Sequence, residues 1–206
     1  MARAAELAAL GFAGTLDREQ MERLRDAQSG DPDPRARAAA LAAAVRASPG
    51  DALGGWREAA VDHEPAVRRR AAELAPALPD GRATVAILVT LLSDRDITVV
   101  EAAAWALGEL GNDSVAGGAV DALVATTRAH RDPLAREAAV AALGALADPA
   151  GLDAILHACS DRPAVRRRAV LALAPFSGPE VDAALAVALA DHDWQVRQAA
   201  EDLDQS

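Results

Sequence analysis

The chain has 206 residues, 51% of them apolar, and a formal net charge of −10 from 31 acidic and 21 basic side chains. That charge opposes general affinity for polyanions such as nucleic acid, and the single Cys159 excludes an internal disulfide and fits a reducing compartment. With two Phe, three Trp and no Tyr, a core must be made of Ala, Leu and Val, which favours closely packed helices over sheets.

The opening stretch MARAAELAALGF is interrupted by Glu6, so no signal peptide is expected, and no uncharged apolar run reaches 18 residues. A cytoplasmic protein with no membrane association follows. The stretch reads as a helix over 2–11. Six later segments fall into register, beginning at Ala36, Val67, Val99, Ala135, Val165 and Val196, with starts 31, 32, 36, 30 and 31 residues apart. Two of them share the heptapeptide PAVRRRA, at Pro65–Ala71 and Pro163–Ala169. A regular period of this length is the signature of a repeat array. Asp33, Asp96, Asp132 and Asp193 stand three residues before their segments, where a carboxylate caps a helix. Pro34, Pro65, Pro133 and Pro163 occupy the first helical position, where a missing N–H costs nothing. Between these segments lie further amphipathic helices, clearest at 81–94, from 117 or 118 onward, and at 178–191, with apolar residues at i, i+3, i+4 and i+7.

The expected organisation is one domain over 1–206, with a half repeat at 1–11. Two-helix repeats of ~31 residues follow at approximately 15–48, 51–78, 81–111, 117–147, 148–177 and 178–206. The fold class is all-α, an α-solenoid of about six repeats. The insert GNDSVAGG, Gly111–Gly118, makes the longest spacing and reads either as a bend or hinge or as a tolerated loop insertion.

On a helical wheel the first, fifth, eighth, ninth and twelfth places of each segment fall in one apolar arc, between about 340° and 80°. The second place lies near 100°, at its edge, and holds Arg37, Arg68, Arg136, Arg166 and Arg197; in the third segment Val100 replaces it. A basic residue fixed at the core margin is explained by a repeating internal contact, its stem on apolar neighbours and its head on an acidic turn. The third, fourth, seventh and eleventh places point away from the core. They carry Arg69, Arg70, Glu73, Glu101, Trp105, Glu109, Glu137, Arg167, Arg168 and Leu171. Of the arginines in the two PAVRRRA stretches, only Arg69, Arg70, Arg167 and Arg168 are left free to meet a ligand, the two pairs on the order of 30 Å apart if helices stack at usual spacings. Trp56 is expected to pack between units, and Trp194, in the place of a proline, to be a packed cap residue.

The pattern Asp, four or five residues, Val-Arg-x-x-Ala-Ala-x-Ala-Leu-Gly resembles the short HEAT-like repeat named for phycobilisome lyases, over nearly the whole chain. The resemblance implies a right-handed solenoid, an arginine–aspartate ladder along the stack, and a concave face formed by the residues just named. It also implies a family of bilin lyases, adaptors, regulatory subunits and assembly factors.

Three functions are weighed. A protein-binding scaffold would use the charged face, with Trp105 as the anchor. DNA or RNA binding by Arg69, Arg70, Arg167 and Arg168 is opposed by the net charge and by the interleaved Glu residues. A bilin-lyase-like or other enzyme-associated factor lacks a nucleophile or acid–base pair: His63, His130, His157 and His192 are scattered, and Cys159 and His157 do not share a helix face. Neither Asp62–Glu64 nor Asp191–Asp193 is expected to bind a metal, and no cofactor is expected. The favoured partner is another protein, with a homodimer through an array end as a further possibility.

Overall fold

Acidic caps and prolines start most of these helices, and alanine lets them pack closely. The computed structural model describes residues 2–13 and 15–204, so residues 1, 205 and 206 of the expected first and last units lie outside the description. Within it the chain is all helical, with fourteen α-helices and two 3₁₀ turns. The chain divides into two compact units, Met1–Ala106 and Leu107–Ser206.

The first unit holds α1 (Ala2–Leu10), α2 (Arg18–Gly30), α3 (Pro34–Ala47), α4 (Leu53–Ala59), α5 (Pro65–Leu74) and α6 (Gly81–Leu91). The helix α7 (Ile97–Glu109) carries the division within its length. The second unit continues with α8 (Asn112–Ala116), α9 (Ala119–Ala129), α10 (Pro133–Leu146), α11 (Leu152–Ala158), α12 (Pro163–Ala172), α13 (Pro179–Leu189) and α14 (Trp194–Asp204). In the first unit α1, α3 and α5 stack on one another while α2 and α4 cover them; in the second, α10, α12 and α14 stack beneath α9, α11 and α13.

The starts are chemically specified. The carboxylates of Asp33, Asp96, Asp132 and Asp193 accept from the backbone N–H of Arg35, Thr98, Leu134 and Gln195 at 2.9–3.0 Å. Each satisfies an orphan donor of a first turn. Pro34, Pro65, Pro133 and Pro163 open α3, α5, α10 and α12. Asp17 and Gln20 form a reciprocal capping box on α2. Where the sequence insert falls, α8 fills most of it, flanked by Gly111 and Gly118 at φ 53° and 78°, backbone that side-chain-bearing residues rarely adopt.

The core confirms the apolar arc and widens it. The sixth place, left out of the sequence-derived arc, is buried in five successive second helices, at Leu41, Ala72, Ala104, Val140 and Val170. A stacked helix is covered both by its own first helix and by neighbouring second helices, so more than one stripe of it is hidden. Most second-place arginines keep to the margin of this surface, Arg68, Arg136, Arg166 and Arg197 being half-buried, while Arg37 goes further in and is only 5% exposed. Trp194 departs from expectation too. It stands at the start of α14, ahead of the first buried residue Val196, and its ring is 64% exposed, so it is no packed cap.

Close stacking leaves no room for a side chain at Gly144, where a Cβ would stand 2.7 Å from Cβ and 2.8 Å from Cα of Ala172. We expect Gly144→Ala to lower stability by about 2 kcal/mol, because α10 and α12 must separate. Gly54, in α4, has open space around its Cα, and Gly54→Ala should raise stability by about 0.5–1 kcal/mol through helix propensity. Urea unfolding followed by circular dichroism reads both; two shifts of the same sign would contradict this account.

Candidate protein-binding face and the ladder beneath it

The second-place arginines form a repeated device that sets the second helices of each unit in register. Arg37, Arg68, Arg136 and Arg166 each aim Nε and Nη2 at the carboxylate of the next turn and Nη1 at a carbonyl of their own turn. Arg37 holds Asp62 at 2.8 and 2.8 Å and donates to the Asp31 carbonyl. Arg68 holds Asp94 at 2.7 and 2.7 Å, Arg136 holds Asp161 at 2.6 and 2.7 Å, and Arg166 holds Asp191 at 2.8 and 2.8 Å. Such two-pronged guanidinium–carboxylate pairs combine charge with fixed geometry. The same aspartates accept the N–H of the residue two positions on in their turns at Asp31, Asp62, Asp94 and Asp191. One side chain thus shapes its own turn and ties it to the preceding helix.

The ladder begins earlier than the sequence reading placed it, since Arg3 of α1 binds Asp31 through Nε at 2.5 Å. Each unit has one departure from the pattern: in the first, Val100 sits fully buried in the arginine's place, and in the second, His130 takes the place in its turn that an aspartate holds in the others. The His130 ring Nδ1 accepts the Asp132 N–H at 3.1 Å, which keeps the shape of that turn.

The pairing sets the acid response. At Asp31, Asp161 and Asp191 the arginine hydrogen bond is the largest influence and holds the carboxyl below its usual range. At Asp62 and Asp94 burial pushes upward, but the guanidinium and a backbone N–H outweigh it, and the net shift is again downward. A carboxyl whose folded pKa lies below its unfolded value of about 3.9 contributes stability that is complete above that value and is lost as pH falls towards the folded pKa. The urea midpoint should therefore be flat from pH 7 to about 5 and decline below about 4. A midpoint unchanged between pH 5 and 3 would contradict the ladder's role.

Above the ladder lies the charged face. In the first unit Arg69 and Arg70 of α5 both engage Glu73, at 3.3 and 3.0 Å. On α7, Glu101 is half-buried and Trp105 is 49% exposed. In the second unit Glu109 is exposed at the end of α7, Arg168 of α12 reaches Glu137 of α10 at 3.7 Å, and Leu171 is 37% exposed. Three of the four arginines read as free are thus already ion-paired, because a carboxylate sits within one helical turn or on the adjacent helix. Arg167 alone of the four has no ion pair among the described residues.

The sequence reading missed Leu134, 46% exposed on α10. Its spacing of three from Glu137 and seven from Ala141 places it on the same face, a signal that was present but lay before the segment start used for alignment. Away from this face, a cleft of ≈ 430 Å³ between α11 and α13 is lined by Leu156, Cys159, Ala183, Ala184 and Val187 among others. Burial pushes the Cys159 thiol up to about 11, which keeps it protonated at neutral pH and unreactive. Among the described residues no group of three His, Cys, Asp or Glu is placed to hold a metal ion, and no helix is long and apolar enough to cross a membrane.

Residues 53–123 and 120–203 match the family profile for HEAT repeats. Comparison with curated proteins gives no match. Among solved structures, the X-ray structure of YibA from Escherichia coli is 18% identical and superposes with a TM-score of 0.69, over 97% of this chain and 74% of that one. A designed armadillo repeat protein in complex with the peptide (KR)4 is 16% identical with a TM-score of 0.60, over 97% of each chain. Kap95p, in a structure with RanGDP, is 15% identical with a TM-score of 0.58, over 90% of this chain and 29% of that one. These likenesses establish an α-solenoid type of fold.

Proposed function

This chain belongs to the HEAT-repeat family, and from that premise we propose that it is a non-catalytic scaffold that binds a protein partner on the exposed face of its second helices. The observation that carries the reading is Trp105, a large apolar ring left 49% exposed among charged residues on that face. Such a ring is a typical interface anchor, since burying it supplies much of an interface's free energy. Arg69, Arg70, Glu73, Glu101 and Trp105 would serve in the first unit, and Glu109, Glu137, Arg167, Arg168 and Leu171 in the second. A preformed helical surface loses little ordering entropy on binding. Supporting this, the designed armadillo protein of similar fold is seen with a peptide. The finer likeness to phycobilisome-lyase repeats rests on the Val-Arg-x-x-Ala-Ala pattern and the ladder under it, and a cytoplasmic setting rests on the lone Cys159. The exposed Trp194 supports self-association through the last helices as a second reading.

The test is affinity capture from source cells with the full chain, against a Trp105→Ala, Arg69→Glu double variant. We expect the specific partner band to disappear while unfolding stability changes by less than about 1 kcal/mol, as for surface substitutions. Undiminished capture by the double variant would overturn the assignment of this face.

A further inference from the structure

Within the second unit the exposed face has a shape as well as a charge. Between α10 and α12 lies a cleft of ≈ 130 Å³ lined by Ala141, Gly144, Ala145, Arg168, Leu171 and Ala172. All of its lining but Leu171 and Arg168 is glycine or alanine, and Gly144 brings the α10 backbone against Ala172. The floor is therefore largely backbone and methyl groups, with no long side chain able to fold in and fill it. At about 30 Å³ per water, the cleft holds roughly four waters, or the four heavy atoms of one leucine side chain. Leu134 and Leu171, both exposed, extend the apolar surface beside it.

The rim supplies the second half of the recognition. Arg168 lines the cleft with its Nη2 3.7 Å from Glu137 Oε1, longer than a hydrogen bond, and Arg167, outside the lining but one helical turn from Leu171, has no ion pair among the described residues. Two guanidiniums thus face one carboxylate on this helix pair, a local positive excess in a protein of net charge −10.

We propose that the α10–α12 cleft seats an aliphatic side chain of an extended acidic peptide segment, whose neighbouring carboxylates pair with Arg167 and Arg168. The proposal rests on the reading of this face as a protein-binding surface and names the chemistry of the segment bound in the second unit. The leucine would displace poorly held water from an apolar cleft, and guanidinium–carboxylate pairs would fix its direction. A nucleic-acid phosphate backbone offers the cleft no aliphatic side chain.

The experiment titrates the isotope-labelled full chain with three capped pentapeptides, Glu-Glu-Leu-Glu-Glu, Glu-Glu-Ala-Glu-Glu and Lys-Lys-Leu-Lys-Lys, following backbone amide shifts. We expect saturable shifts confined to 141–145 and 167–172 with the first peptide, and about tenfold weaker binding of the second for want of the isobutyl group. The third should be weaker still, and Arg167→Glu should reverse that order. Ala141→Leu, filling the cleft from an incompletely buried position, should weaken the first peptide about tenfold while the circular-dichroism melt stays in place. Equal affinity for the Leu and Ala peptides, preference for the Lys peptide, or stronger shifts of the same amides by a short DNA duplex would each overturn the proposal. If Trp105→Ala with Arg69→Glu abolishes partner capture but no peptide moves these amides, this inference fails and the broader reading stands. If the peptide binds as described and capture is indifferent to the double variant, the broader reading fails.

Discussion

Arg37→Ala is expected to lower the free energy of unfolding by about 3 kcal/mol, the lower end of what breaking a buried, hydrogen-bonded ion pair costs. Arg37 is the most buried arginine of the ladder, with side-chain exposures of 6% for itself and 11% for Asp62. Its loss strips the Asp62 carboxylate of its guanidinium, leaving the Glu64 N–H and the His63 Nδ1 at 3.3 Å beside it, and removes the donor to the Asp31 carbonyl. The cost is that of orphaning a buried charge, not the net worth of the pair, so Asp62→Ala should cost a similar amount and the double variant much less than the sum. Arg197→Ala is the control. That arginine donates through Nη1 to the Asp191 carbonyl as its counterparts do, but its fork meets no carboxylate among the described residues, and about 1 kcal/mol is expected from one hydrogen bond. Urea unfolding of the four variants decides it. A cost below 1 kcal/mol for Arg37→Ala, or additivity in the cycle, would show that the ladder is decoration on a stack held by alanine packing.

What the sequence made legible follows from how far each contact reaches along the chain. Helix starts are local: Asp33 caps Arg35 and Pro34 fixes the first dihedral, so aligned segments located α3, α5, α10 and α12. The ladder was half legible. A fixed arginine at the core margin demanded an acidic partner, but most turns hold two carboxylates, and the one chosen lies 25 or 26 residues on. Helix-to-helix stacking makes that choice, and no local spacing encodes it. Arg3 was passed over because α1 has no acidic turn ahead of it to announce the pattern. The sixth place was omitted for a related reason: a wheel built for one apolar stripe has no room for the contact with a neighbouring second helix. The candidate face was legible as to which residues point outward. Whether they were free was not, since Glu73 and Glu137 take up arginine charge through geometry that only packed side chains reveal.

Trp56→Ala is expected to cost about 4 kcal/mol, the usual range for emptying a fully buried large aromatic site. The indole is 0% exposed in α4 and donates from Nε1 to the Ala71 carbonyl of α5 at 2.6 Å. That carbonyl needs an outside donor. It lies in the last turn of α5, where the chain tightens into the 3₁₀ turn Ala75–Ala77 and the Ala75 N–H turns to Ala72 instead. The ring therefore fills volume between two helices and satisfies a buried helix end at once. Trp56→Phe separates the two roles: it keeps most of the volume and strands the carbonyl, so about 1–3 kcal/mol should still be lost. Retention of full stability by the phenylalanine variant would remove the hydrogen bond from the account and leave packing alone. The contrast with Trp105 is the sharper consequence. Two tryptophans fall in neighbouring helix pairs, one answering a carbonyl within the fold and one left open to solvent. Substitution at Trp56 should unfold the chain at lower urea, whereas substitution at Trp105 should move only what the chain binds.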